Sequence, residues 1–275
     1  MKNGLYFEKL PNDILVQMID YLDQPSQLQL CLVSKFMSSI CIRILWRMPK
    51  CTTPAAFNRL MSVLNSDHQY YPYNAYMIGL NLSFHSTQTL DDSSDIIFSL
   101  TSLRMIWIKN VQTMSITLLD KMFATKDLEQ LCVFQCLTDV IRDLLVVLKC
   151  HGPYEKLERV TIEASHMPDS IVCQIVTLMP ALRHFRYCQS GFISDTTIVT
   201  LINHCPFLES LILTLPRHII QANTVTFASL KALSQSKHLK LFVCKGQVRI
   251  STAEYKGWLY KYCPCLEYCD LSFDL

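Results

Sequence analysis

Between residues 10 and 22 the apolar positions are Leu10, Ile14, Leu15, Met18, Ile19 and Leu22. Spacings of four, one, three, one and three define one face of a helix. Pro11 is tolerated at a helix start, and Asn12 and Asp13 put favourable groups near the N-terminus. Asp23 and Pro25 stop this helix and begin a second, which carries Leu28, Cys31 and Leu32. Ser34 is the expected N-cap of a third, with Phe36, Ile40 and Ile44 spaced by four. Leu45-Trp46-Arg47 closes the segment and Pro49 ends it. Three helices in about forty residues make too small a core to be well stabilised alone. The segment also exposes more apolar surface than it can cover, so it reads as a module that completes its core against a partner.

Further along, the pattern becomes periodic. The template L-x-x-L-x-L recurs with its first position at Met77, Leu103, Leu128, Leu157, Leu182, Leu208, Ser236 and Leu266. The steps are 26, 25, 29, 25, 26, 28 and 30 residues, and only Ser236 among the template positions is not hydrophobic. Each interval also holds one helix-length segment, such as 139–149, 169–178 and 194–204. Most begin at Asp, Ser or Thr, which can cap the first free amides. Cys205-Pro206, Cys263-Pro264 and Met179-Pro180 mark helix ends before the next strand. Neither strand nor helix can bury its face alone. Stacking therefore gives a parallel sheet with helices outside. Residues 51–76 read as a connection, with one helix from Pro54 to Leu64 and then a Tyr-rich loop. No capping helix follows the last strand, so an exposed terminal edge is expected.

Leu10-Pro11-x-x-Ile14-Leu15, Tyr21-Leu22, Leu32-Val33-Ser34 and Leu45-Trp46-Arg47 together resemble an F-box in spacing and order. That resemblance implies docking onto a Skp-type adaptor, and through it a cullin, in a cullin–RING ubiquitin ligase. The matching positions are Leu10, Pro11, Ile14, Leu15, Leu32, Val33, Leu45 and Trp46. The periodic region resembles a leucine-rich-repeat solenoid of the cysteine-containing type found in F-box proteins. Ile193-Ser194-Asp195 looks like that family's Ile-Thr-Asp. Cys136, Cys244, Ser165 and Ser190 fill its inward Asn/Cys slot, from which Val111 and Pro216 depart. The expected fold class is α/β: a three-helix F-box at 1–50, a connection at 51–76, and about eight repeats at 77–275. Parallel strands would line the concave face, with helices outside.

Composition narrows the function. Charged residues are 17% of the 275-residue chain, and 25 Lys plus Arg against 23 Asp plus Glu leave a net charge of +2. That balance argues against a nucleic-acid or anionic-membrane binder. Six glycines exclude glycine-rich linkers and disfavour glycine-dependent phosphate loops. Thirteen cysteines, with no apolar run before Glu8 and Lys9, point to a reduced intracellular protein, cytoplasmic or nuclear. No C-x-x-C or H-x-x-x-H exists. Cys263, Cys265 and Cys269 are the densest group, and repeat packing accounts for two of them. No metal, cofactor or catalytic residue is expected.

Because side chains alternate along a strand, the x positions of the template face the concave side. Those expected to bind a substrate are Trp107, Lys109, Phe134, Arg159, His184, Arg186 and Lys240. Ser210, Ile212, His238, Tyr268 and Asp270 continue the face. Its cations suit an acidic or phosphorylated protein ligand, although Glu163 interrupts them. The resemblance thus implies a substrate-recognition subunit of an SCF-type E3 ubiquitin ligase. A non-ligase repeat scaffold is the alternative.

Overall fold

The computed structural model describes residues 9–66, 70–90, 102–215, 225–246 and 252–271. Helices α1 (Asn12–Asp20), α2 (Gln24–Cys31) and α3 (Lys35–Leu45) come first. Asp23 accepts the Ser26 amide at 3.0 Å and Ser34 accepts the Met37 amide at 3.2 Å, so both expected helix starts carry side-chain caps. There follow β1 (Lys50–Cys51), α4 (Pro54–Leu64), α5 (Tyr73–Tyr76), β2 (Gly79–Leu90) and β3 (Met105–Met114). Next are α6 (Ile116–Phe123), β4 (Gln130–Phe134), α7 (Thr138–His151), β5 (Arg159–Glu163) and α8 (Asp169–Val176). The rest are β6 (His184–Cys188), α9 (Asp195–His204), β7 (Ser210–Thr214), α10 (Phe227–Leu233), β8 (Leu241–Lys245), α11 (Thr252–Tyr262) and β9 (Tyr268–Asp270).

Among the described residues, nine strands form one parallel sheet in chain order, β1 to β9. Three helices followed by this leucine-rich-repeat solenoid are the architecture of the chain. The sheet begins at the boundary between the segment read as the F-box and the one read as a connection. Lys50 and Cys51 pair with Asn81 and Leu82, and α4 runs from Pro54 to Leu64 as the sequence predicts.

Three buried rows run the length of the sheet. One begins every repeat: Met77, Leu103, Leu128, Leu157, Leu182, Leu208, Leu239 and Leu266. A second is Leu80, Ile106, Leu131, Val160, Phe185, Leu211, Phe242 and Cys269, aligned strand by strand. The third runs from Leu82 through Ile108, Val133, Ile162, Tyr187 and Leu213 to Cys244. The seventh copy therefore starts at Leu239, three residues later than the sequence template placed it. Ser210 pairs with Leu241, and Phe242 and Cys244 fill the places that leucine occupies elsewhere. Leu239 and Leu241 satisfied the template by spacing alone. The correction moves His238 and Lys240 off the concave face and puts Leu241 and Val243 there. It also puts Cys244 in the strand core, outside the inward slot.

Cys136, Ser165 and Ser190 do occupy that slot. Each Ser Oγ accepts the backbone amide of the preceding rung's slot residue, Cys136 and Ser165 respectively, at 3.3 Å. Just before the slot the chain turns through a left-handed residue at the same point of five rungs. These are Asn110, Gln135, Ala164 and Gln189, with φ between 49° and 56°, and Gly246 at 77°.

Just ahead of each strand, one carbonyl accepts two amides from the next rung. Arg104 O takes Glu129 N at 2.7 Å and Gln130 N at 2.9 Å, and the pattern repeats through Lys240 O. The first member of the series is Arg47 O, at the end of the helical module, which takes Ile78 N and Gly79 N at 3.0 Å. On the outer side, helix starts are linked in series. Asp169 accepts the Ser194 amide at 2.9 Å and the hydroxyls of Ser194 and Thr197 at 2.6 Å. Asp195 accepts from Thr226 and Ser229 in the same way. Burial raises the Asp195 pKa, but these donors outweigh it and hold the carboxyl below the usual range.

Leu211→Ala removes a fully buried member of the second row. Its unfolding free energy in urea is expected to fall by about 2–5 kcal/mol.

Candidate functional site

Two surfaces carry the side chains that the sequence singles out. The first is the helical module. Its core is Leu15, Ile19, Met37, Ile40 and Cys41, with Val16, Leu30, Cys31, Phe36 and Ile44 packed around it. Leu15 is 1% exposed, so it holds the module together from inside and is corrected from a docking residue to a core residue. Six other candidates lie elsewhere. Leu10, Pro11, Ile14, Leu32 and Val33 are exposed, Leu32 at 80%, and Leu45 is half-buried.

Trp46 also turns inward. It stacks on Tyr73 with ring centroids 4.1 Å apart and packs against the solenoid core. Arg43 lies over Tyr76 at 5.5 Å, and the Ser38 and Tyr71 hydroxyls are 3.4 Å apart. Trp46 therefore joins the module to the first repeats. Its correction has a physical cause: a large aromatic at the end of α3 meets the Tyr-rich segment that precedes β2.

Met18, Tyr21, Leu22 and Leu28 extend the exposed apolar surface, Tyr21 at 92%. Leu10, Ile14, Met18, Tyr21 and Leu22 follow three- and four-residue steps along the outer side of α1 and its ends, and Leu28 adds to them from α2. The spacing was present in the sequence. Which side of so apolar a helix faces inward was not, because both sides carry large aliphatic residues. Gln27 was missed altogether. It is a buried amide in α2 whose Nε2 donates to Ile19 O at 2.9 Å and Leu22 O at 3.1 Å. It thus satisfies carbonyls at the end of α1 and locks the turn that presents Tyr21 and Leu22.

The second surface is the concave face of the sheet. Asn81, Trp107, Cys132, Thr161, Arg186, Ile212, Val243 and Asp270 form one row across the strands. Met105, Gln130, Arg159, His184 and Ser210 form the row before it, and Lys109, Phe134 and Glu163 belong to the row after it. Trp107 and Phe134 are a tilted aromatic pair at 6.2 Å. Arg186 reaches Glu163 at 3.8 Å, whereas Lys109 and Arg159 are exposed. Burial first, then the nearby Arg159 charge, lowers the pKa of His184. It is therefore neutral near pH 7 and adds no charge to the face.

Lys240 is the site residue that the sheet removes from this surface. It lies on the strand-entry edge, where its Nζ contacts Glu209 Oε2 at 2.8 Å. That edge carries linked charges: Arg104 to Glu129 at 3.4 Å, and Glu158 to Arg183 to Glu209 at 3.5 and 2.7 Å. Lys240 and Arg183 hold the Glu209 carboxyl at about 2, well below the usual carboxylate range. Partial exposure keeps each such pair to about 0–1 kcal/mol.

Among the described residues, no group of three His, Cys, Asp or Glu could hold a metal ion. Burial pushes the Cys136 and Cys205 thiols up to about 11 and about 12, so neither is a thiolate nucleophile near neutral pH. Among the described residues, no helix is long and apolar enough to cross a membrane.

Residues 7–52 match the family model described as F-box-like. No curated protein matches the chain. Among solved structures, human trophoblast glycoprotein (Wnt-activated inhibitory factor 1) is similar at 16% identity and a TM-score of 0.40, covering 62% of this chain and 70% of that one. The F-box-like segment supports a role in protein–protein interaction.

Two outcomes follow from these contacts. Gln27→Ala removes the side-chain donor from Ile19 O, which keeps the Leu22 amide, and from Leu22 O, and the module is expected to lose about 1–3 kcal/mol, read as a lower thermal midpoint. Glu209 has a depressed folded pKa, so its stabilisation is present above the unfolded value of about 4.3 and is lost as pH falls toward 2. Glu209→Gln is expected to flatten that part of the acid unfolding curve, measured by circular dichroism.

Proposed function

We propose that this protein is the substrate-recognition subunit of an SCF-type, cullin–RING E3 ubiquitin ligase, acting in the cytoplasm or nucleus. The carrying observation is the set of exposed apolar residues between Leu10 and Val33, on a module whose own core is already filled from the inside. Such a patch on a segment similar to F-box-like domains is the surface a Skp-type adaptor would cover. Leu10, Pro11, Ile14, Leu32 and Val33 supply contacts, with Met18, Tyr21, Leu22 and Leu28 beside them.

The concave sheet then holds the substrate protein. The double-amide series that begins at Arg47 joins the two surfaces through hydrogen-bonded backbone. An adaptor on one surface and a substrate on the other are thereby kept at a set separation. The contribution is positioning: it raises the effective concentration of substrate lysines near the ubiquitin carrier and makes no bond itself. The chain needs no catalytic residue or cofactor for this.

Ile14→Asp with Leu32→Asp places charge in the exposed patch and leaves Leu15 and Ile19 in place. In co-expression with a Skp-type adaptor, wild-type chain is expected to elute as a one-to-one complex and the double variant as free chain with an unchanged circular dichroism spectrum. Co-elution of the variant would remove the docking assignment. A wild-type chain that elutes alone as a soluble monomer would favour the scaffold reading.

A further inference from the structure

On the concave face, strands β3 to β6 place small side chains between two unlike walls. Cys132 and Thr161 are neighbours in one row across the sheet, with Trp107 before them and Arg186 after them. Gln130 Nε2 donates to Cys132 Sγ at 3.4 Å, which fixes one side of this floor. Phe134 adds to the Trp107 side, 6.2 Å between ring centroids, and gives an apolar wall. Arg159, in the row before Thr161, adds to the Arg186 side and gives a cationic wall. Glu163 offsets part of the Arg186 charge at 3.8 Å; no ion partner of Arg159 is found among the described residues.

We infer that this trough binds an extended anionic peptide segment carrying one large apolar side chain. The inference rests on the reading of the concave sheet as the substrate surface and names the chemistry of its ligand. Strands about 4.8 Å apart put Trp107 and Arg186 on the order of 14 Å from each other, the reach of about four extended residues. The apolar side chain packs on Trp107 and Phe134, and a carboxylate or phosphoryl group two to four residues away meets the guanidinium groups. β3 to β6 are each paired on both sides, so the segment cannot join the sheet as a strand and is held by side chains. Charge complementarity selects the anion: Glu163 lies against Arg186, and Glu129 and Glu158 line the same pocket as Arg159 from the strand-entry edge, where they pair with Arg104 and Arg183, so the exposed Arg159 and Arg186 guanidinium groups would still oppose a basic segment.

The test uses the full chain and fluorescein-labelled synthetic peptides read by anisotropy. One has a central Leu flanked by Glu on both sides. A second replaces Glu with phosphoserine, and a third replaces it with Lys. Saturable binding of an anionic peptide is expected, with at least tenfold weakening in Arg159→Glu with Arg186→Glu, and again in Trp107→Ala. A milder pair, Arg159→Gln with Arg186→Gln, should weaken binding in the same direction with an unchanged thermal midpoint. At least tenfold tighter binding of the phosphoserine peptide identifies a phosphoryl ligand; equal binding identifies a carboxylate one. Failure of both anionic peptides to bind, equal binding of the Lys peptide, or binding unmoved by the arginine variants overturns the inference. Adaptor co-elution of the same wild-type chain is scored separately, so loss of the ligase reading leaves the peptide result intact.

Discussion

Everything in this molecule hangs on a backbone carbonyl that accepts two amides from the following rung. The series passes through Arg47, Ile78, Arg104, Glu129, Glu158, Arg183, Glu209 and Lys240, with donor–acceptor distances of 2.7–3.1 Å. A buried polar backbone group left unpaired is costly, so each rung must sit in register with its neighbours or lose both bonds. Register then decides which side chains face inward and which face the concave solvent. The edge ion pairs and the outer Asp-to-hydroxyl links are placed by that same stacking. They add little energy individually, but they follow the rung spacing.

Because the series starts at Arg47, the helical module cannot swing freely at its junction. Trp46 on Tyr73 and Arg43 over Tyr76 reinforce the junction from the side chains. The module's small core has its inward positions filled by Leu15, Ile19, Met37, Ile40 and Cys41. What it cannot bury, from Leu10 to Val33, remains outside. The chain thus carries an exposed apolar patch on its helical module and a mixed aromatic and cationic row on the concave face of its sheet. Their separation is a property of the backbone.

Much of this was legible from residue spacing. Period-four apolar positions gave the three helices, and Asp23 and Ser34 gave two of their caps. The leucine template placed seven of eight repeats correctly, because Leu at the first, fourth and sixth positions is what a strand on a buried face requires. The seventh copy failed for a definite reason. Phe242 and Cys244 do the work of leucine there, while Leu239 and Leu241 offered a false match three residues early. Lys240 was carried onto the concave face by that slip. Leu15 and Trp46 were placed on the docking surface by motif resemblance. Their burial depends on neighbours, α3 and the Tyr-rich segment, that no local pattern specifies.

The sequence by itself determined the kind of element at each point and the repeat that stacks them, since periodicity and caps act within a few residues. It also determined that this chain has apolar surface to spare near its start. Only the tertiary structure decided which half of that surface is spare, because an amphipathic helix with large aliphatics on both sides shows its inner face only against α2 and α3. Only the sheet decided that Cys132 and Thr161 lie between an aromatic and a cationic wall. Trp107, Cys132, Thr161 and Arg186 follow one another at 25 to 29 positions along the chain, and they meet through strand register alone.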